Sequence, residues 1–91
     1  MQRFIIERAI PHASKISAQE MAAISAKSLG VLRELGPDVQ WLESFVTPDK
    51  LYCVYLAKSA ELVREHARRA GFPADAVNVV TRVIDPTTAT R

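Results

Sequence analysis

Two apolar segments separated by four turn-forming residues constrain the fold of this chain more than any other feature. The segments are residues 39–46 and 51–57, and the turn between them is Thr47-Pro48-Asp49-Lys50. Both segments are rich in aromatic and β-branched residues, which is typical of strands, and Pro-Asp favours a turn. The pattern therefore predicts a β-hairpin. Because both strands are apolar on both faces, the sheet is expected to be covered on both sides.

The segments around the hairpin complete a recognisable order of elements. We expect a strand at Arg3–Ile10, a helix between Ser17 and Gly36, the two hairpin strands, a helix at Ala60–Ala70 and a strand at Val77–Ile84. The first helix begins with the capping-box pattern Ser-x-x-Glu, and both helices are followed by glycine, which commonly ends a helix. The order βαββαβ predicts an α+β, ferredoxin-like fold with a four-stranded antiparallel sheet. Right-handed crossovers would put both helices on one face.

Length and composition limit the class of protein. Ninety-one residues are enough for one domain, which we place at residues 1–86, with a flexible tail at 87–91. The 12 basic and 10 acidic residues are well mixed, so no basic arm for nucleic acid is visible. No apolar run is long enough to span a bilayer. A single cysteine cannot form an internal disulfide, which favours a reducing, cytoplasmic location.

A single layer of two helices leaves one face of the predicted sheet uncovered. We expect that face to pack against a second copy of the chain, as in dimeric α/β barrels. If Phe4, Ile6, Val54 and Leu56 meet the helices, the opposite face carries Ile5, Glu7, Trp41, Glu43, Phe45, Cys53 and Tyr55. Carboxylates among apolar groups can serve as general acids or bases. The alternative is that they lie near the rim or pair with Arg3 or Arg82.

Two other side chains have chemistry of interest. His66 falls on the apolar stripe of the second helix, and a neutral imidazole is a common metal ligand. A lone histidine facing a core is nevertheless more often structural. Cys53 in a strand is expected to act as a small hydrophobe. No His-x-x-x-His or Cys-x-x-Cys spacing is present, so the sequence shows no metal site within one chain. A site shared across a dimer stays open, because symmetry doubles every ligand.

Several segments resemble a known family. They are Phe4-Ile5-Ile6-Glu7-Arg8, Gly36-Pro37-Asp38-Val39-Gln40-Trp41, the hairpin from Thr47 to Tyr55, Arg64-Glu65-His66-Ala67, Gly71-Phe72-Pro73-Ala74 and Ile84-Asp85-Pro86-Thr87-Thr88-Ala89. This family of small bacterial domains was long of unknown function and is named for a nickel-responsive, nickel-binding member. The resemblance implies a ferredoxin-like homodimer and makes nickel or another divalent transition metal a candidate ligand. The matching positions with suitable donor atoms are Glu7, His66, Cys53 and Tyr55.

These observations lead to three hypotheses for the function. The first is a small non-enzymatic binding protein that holds a divalent metal or a small ligand as a dimer. The alternative is a dimeric α/β-barrel enzyme that acts on a small organic molecule with Glu7 or His66 as the proton carrier. The third is a purely structural or regulatory interaction module.

Overall fold

The computed structural model describes residues 1–90 and has the predicted ferredoxin-like architecture. Its elements are β1 (Gln2–Ala9), a 3₁₀ turn (Ala13–Lys15), α1 (Ala18–Leu35), β2 (Val39–Val46), β3 (Lys50–Ala57), α2 (Ala60–Ala70), β4 (Ala76–Val79) and a second 3₁₀ turn (Pro86–Thr90). The strands form one antiparallel sheet in the order β2-β3-β1-β4. The first and third strands are therefore central, as the crossover rule predicts.

Local side-chain chemistry sets the ends of both helices. The Oγ of Ser17 accepts a hydrogen bond from the backbone N–H of Glu20 at 3.1 Å, and the Oγ of Ser59 accepts one from Leu62 at 3.3 Å. These bonds satisfy amides that have no partner within the helix. Gly36 and Gly71 follow the helices with φ of 85° and 75°, a backbone conformation that strongly favours glycine. Both predicted helices are thus confirmed.

The last strand is shorter than predicted. It covers Ala76–Val79, and the backbone N–H of Val80 still donates to the carbonyl of Arg3 at 2.8 Å. The register places Arg3 and Gln2 of β1 opposite Val80 and Thr81, and β1 has no strand residue opposite Arg82 and beyond. The predicted strand at 80–84 is therefore wrong. Val83 and Ile84 are 67% and 72% exposed.

The chain after β4 continues outside the sheet. Residues 86–90 form the second 3₁₀ turn, and Arg91 of the predicted 87–91 tail lies outside the described residues. The flexibility of that tail stays a prediction. In the part of the chain that the structure describes, neither helix combines the length and the apolarity that crossing a bilayer requires.

The register of the central strands assigns side chains to the two sheet faces. Tyr55 lies opposite Phe4, and Cys53 lies opposite Ile6. Residues directly opposite one another in an antiparallel pair share a face. All four are buried in the core against residues of α1 and α2, so they define the helix-covered face. We call the other side of the sheet the open face.

This register corrects the predicted faces of β3. Val54 lies opposite Ile5, so it occupies the open face, and Leu56 follows by alternation. The prediction that Val54 and Leu56 meet the helices is wrong, as is the placement of Cys53 and Tyr55 on the opposite face. β3 is apolar on both faces, so alternation alone could not show which face the helices cover.

A β-bulge in β2 divides the residues that were predicted to share one face. Trp41 pairs with Tyr55 on the helix-covered face, and the register then shifts between Trp41 and Glu43. Leu42 is the extra residue, and it reverses the alternation for the rest of the strand. Trp41 is therefore on the helix-covered face, contrary to prediction, whereas Glu43 and Phe45 lie on the open face as predicted.

The cap of α1 offers a direct test of this local structure. Replacing Ser17 by alanine removes the acceptor of the Glu20 amide, and the expected loss is about 1 kcal/mol in the free energy of unfolding. Urea unfolding followed by circular dichroism measures it. Ser14→Ala, which changes an exposed serine in the preceding 3₁₀ turn, is the matched control. Equal stabilities for the two variants would contradict the capping assignment.

Candidate functional site

An arginine lies in the core between the sheet and the helices. Arg8 is on β1, on the same face as Phe4 and Ile6, and is only 2% exposed. Arginine is almost never fully buried unless it is paired. Among residues 1–90 no carboxylate lies within ion-pairing distance of it. The centre of the fold therefore carries a positive charge that no acidic side chain compensates.

Groups from two parts of the chain, β3 and the loop between α2 and β4, contact the guanidinium. Its Nη1 donates to the carbonyl of Pro73 at 2.5 Å, in the loop between α2 and β4. Its Nη2 donates to Tyr55 Oη at 3.2 Å, and its Nε donates to Cys53 Sγ at 3.4 Å. The guanidinium carbon also lies 5.6 Å from the ring centroid of Phe72 and 5.9 Å from that of Tyr55, within cation–π range.

His66 belongs to the same interior cluster. It is completely buried on α2, and its Nε2 lies 3.0 Å from the Oγ of Ser28 on α1, which ties the two helices together. Its ring centroid is 5.3 Å from that of Tyr55. Its Nδ1 is buried and has no hydrogen-bond partner among the described residues. The imidazole thus has a structural role and one unused nitrogen.

Burial and the arginine shift two pKa values in this cluster. Burial lowers the pKa of the His66 imidazole below its ordinary value, and the positive charge of Arg8 lowers it further. Burial raises the pKa of the Tyr55 phenol, although Arg8 acts in the opposite direction. At neutral pH the imidazole is therefore uncharged and the phenol keeps its proton. Neither group compensates the charge of the guanidinium.

A small cavity lies beside the guanidinium. It has a volume of about 40 Å³, and we call it the Arg8 cavity. The residues that line it are Arg8, Ile24, Ser25, Ser28, Trp41, Ser44, Cys53, Tyr55 and Phe72. Ile24, Ser25, Trp41 and Phe72 are partly exposed, so the cavity reaches from the core towards the surface. Its lining combines aromatic rings with hydroxyl groups and the arginine.

The open face carries a larger and more exposed depression. This open-face groove has a volume of about 290 Å³ and is lined by Arg3, Ile5, Leu42, Glu43, Phe45, Val54, Val80 and Val83. Glu7 lies on the same face, where its Oε1 is 3.4 Å from the Nζ of Lys50. This pair takes the place of the predicted pairing of Glu7 with Arg3 or Arg82. Both partners are partly exposed, so the ion pair contributes little stability.

The four predicted metal ligands fall on two sides of the sheet. Cys53, Tyr55 and His66 lie together on the helix-covered side, whereas Glu7 lies on the open face. Within one chain they cannot form a single coordination sphere. Among residues 1–90 there is also no group of three or more histidine, cysteine, aspartate or glutamate side chains that could hold a metal ion.

The interior donors do not fit a divalent cation. The guanidinium of Arg8 donates hydrogen bonds to Cys53 Sγ and Tyr55 Oη, so a metal on these atoms would lie next to a permanent positive charge. Two like charges a few ångströms apart in a weakly screening interior repel each other strongly. The single-chain interior therefore provides no suitable metal site, and Glu7 is the one predicted ligand outside it.

The residue at the centre of the cluster was missed by the sequence reasoning. Alternation along β1 places Arg8 on the face of Phe4 and Ile6, two residues after Ile6. A charged residue continuing a buried stripe was the available signal. Arginine is mostly exposed in folded proteins, so this signal alone does not predict burial. The sequence predicted correctly that His66 is buried on the core stripe of α2.

A four-stranded antiparallel sheet with two helices on one face defines a small ferredoxin-like protein of the α+β class. The family model of the nickel responsive protein SCO4226-like family matches residues 4–80, and the chain belongs to this family. The crystal structure of SCO4226 from Streptomyces coelicolor A3(2) superposes with a TM-score of 0.76. The two chains are 23% identical over 90% of this chain and 99% of that one, which supports the shared fold. No curated protein matches the chain.

The lowered pKa of His66 predicts how stability depends on pH. The unfolded chain binds a proton at His66 near pH 6.5, whereas the folded protein binds it only at lower pH. Stability should therefore be complete above pH 6.5 and fall as the pH drops below it. In His66→Gln, which retains a hydrogen-bonding group for Ser28, this part of the pH dependence should disappear. Urea midpoints between pH 5 and 8 measure the effect.

The exposed histidine provides the control for that experiment. His12→Gln is that control, because it removes the other histidine of the chain at an exposed position in the loop after β1. If His66→Gln has the same pH profile as the unmodified protein, the imidazole does not resist protonation in the core.

Proposed function

We propose that this protein is a small non-enzymatic binding protein that works as a cytoplasmic homodimer and binds nickel or another divalent transition metal. The observation that carries the proposal is the uncovered apolar sheet face. α1 and α2 pack on one side only, and Phe45 on the other side is 54% exposed. Membership of a family described as nickel responsive supports nickel as the metal.

The composition of the open face supports association with a second copy. Ile5, Leu42, Phe45 and Val83 are all exposed, and all four line the open-face groove with Val54 and Val80. Contiguous exposed apolar surface of this kind marks interaction sites. A two-fold axis would bury the same patch on both copies. A domain of this size also buries a modest share of its surface alone, so association adds stability.

Metal binding in this proposal takes place on the open face. Glu7 is there and is partly exposed, and a two-fold axis supplies each donor twice. Carboxylate oxygen is an acceptable donor for divalent transition metals. Cys53 and His66 lie on the other side of the sheet beside Arg8, where a cation is disfavoured.

The enzymatic alternative needs a proton carrier that meets a substrate. His66 is completely buried, and Glu7 is held by Lys50 outside the lining of the open-face groove. No observation favours this alternative over binding, and it stays a prediction from the sequence.

Association through the open face has a specific test. Phe45→Glu places a charge in the middle of the apolar patch, and we expect it to convert a dimer into a monomer in sedimentation velocity experiments. Leu29→Glu is the matched control, because Leu29 is 43% exposed on α1, away from the sheet's open face. A monomer for the unmodified protein, or a dimer for Phe45→Glu, would contradict the proposed interface.

Metal binding is tested by titration calorimetry with nickel, cobalt and zinc on tag-free, metal-free protein. Glu7→Gln should weaken binding at least tenfold, because it removes the charged donor but keeps the shape of the side chain. Glu61→Gln, which changes an exposed carboxylate on α2, should leave binding unchanged.

In the same titration, His66→Ala distinguishes a metal site on the open face from a metal site in the interior. Binding that survives in this variant and fails in Glu7→Gln supports a site on the open face. Loss of binding in His66→Ala alone, in a variant that still folds, would place the metal in the interior. Absence of binding to the unmodified protein would remove the metal from the proposal.

A further inference from the structure

The buried guanidinium of Arg8 still has hydrogen-bonding capacity to spare. Arginine carries five N–H donors, and each of the three nitrogens of Arg8 makes one hydrogen bond to a described residue. Two N–H groups are left. None of the three acceptors is a carboxylate, and the salt bridges among residues 1–90 do not include Arg8. A buried charge normally requires an opposite charge nearby.

The side chains around the Arg8 cavity also have unused donors. Tyr55 Oη accepts a hydrogen bond from Arg8, and Ser44 Oγ accepts one from the indole N–H of Trp41 at 2.9 Å. Each hydroxyl therefore still has its own proton to donate. Ser25 adds a third hydroxyl to the lining, and no aspartate or glutamate lines the cavity. The site thus presents hydrogen-bond donors and one positive charge.

The size of the cavity limits what it can hold. Its volume of about 40 Å³ is enough for a water molecule or for an ion of a few atoms. A nucleotide, a sugar or a whole amino acid is too large. The partly exposed Ile24, Ser25 and Phe72 lie where a small ligand would enter.

We propose that the Arg8 cavity binds a small monovalent anion, of the size of a halide or a formate ion. The anion supplies the negative charge that Arg8 lacks and accepts hydrogen bonds from the guanidinium, Ser44 and Tyr55. The proposed ligand is the free ion, because a larger acid does not fit in a cavity of about 40 Å³. This site is on the helix-covered side of the sheet and is independent of the metal proposed for the open face.

The tryptophan in the lining provides the measurement. Trp41 is the only tryptophan of the chain, and bromide quenches indole fluorescence by contact. Sodium bromide is titrated against sodium gluconate at constant ionic strength, since gluconate is too large for the cavity. The expected result is quenching that saturates, as binding requires. Simple collision would instead give quenching that rises linearly with bromide.

Three variants test whether the saturating quenching comes from bromide bound in the Arg8 cavity. Arg8→Met should weaken bromide binding at least tenfold, whereas Arg64→Met, at an exposed arginine on α2, should leave bromide binding unchanged. Because Arg8→Met removes a buried group and can fail to fold, Ser25→Leu serves as the second variant. It narrows the cavity from α1 and leaves Arg8 in place, and it should also abolish saturation.

Competition by formate and a Cys53→Ala variant complete the experiment. Formate tests which anions bind, and Cys53→Ala tests whether a thiolate supplies the negative charge instead. If formate raises the apparent dissociation constant of bromide, the cavity also accepts a carboxylate. If formate does not compete, the cavity binds halides only. Linear quenching that is the same in Arg8→Met overturns the proposal and leaves only water in the cavity. Saturation seen in Cys53→Ala but not in the unmodified protein also overturns it, because a Cys53 thiolate would then be the counter-charge.

Discussion

The hydrogen bonds of one buried guanidinium connect three parts of this fold. Arg8 on β1 bonds to Tyr55 and Cys53 on β3 and to the carbonyl of Pro73 after α2. The two central strands and the chain that leads into β4 are therefore held at a single side chain. Removing one partner of such a buried network leaves polar groups without partners, which costs more than the network contributes net. The core around Arg8 is thus specified by polar geometry as well as by apolar packing.

The positive charge of Arg8 makes the helix-covered side of the sheet chemically different from the open face. Near Arg8 the pKa of His66 is lowered, and the donors Cys53 and Tyr55 receive hydrogen bonds from the guanidinium. That environment suits an anion. The open face has no helix over it and carries exposed apolar residues with Glu7 and Glu43. That environment suits a second copy of the chain, and Glu7 is the proposed donor for a metal ion there. The two proposals therefore do not compete for one site.

The element order was predictable from sequence because each boundary has its own local signal. Serine caps, glycine stops and the Pro-Asp turn act within a few residues of where they occur. The wrong predictions concern features that depend on strand pairing between distant parts of the chain. β3 is apolar on both faces, so only its register with β1 shows which side the helices cover, and the bulge at Leu42 changes the alternation of β2. β4 ends at Val79, and its register with β1 provides no strand partner from Arg82 onward. Family resemblance, not residue chemistry, indicated nickel.

The most direct test of this division is the position of bound nickel. Crystals of the protein grown with nickel, measured at the nickel absorption edge, give an anomalous peak at each metal. The account predicts the peak on the open face, close to Glu7 and to the proposed contact between two copies. A peak between Cys53 and His66 would contradict it, because a divalent cation would then be bound beside the buried charge of Arg8.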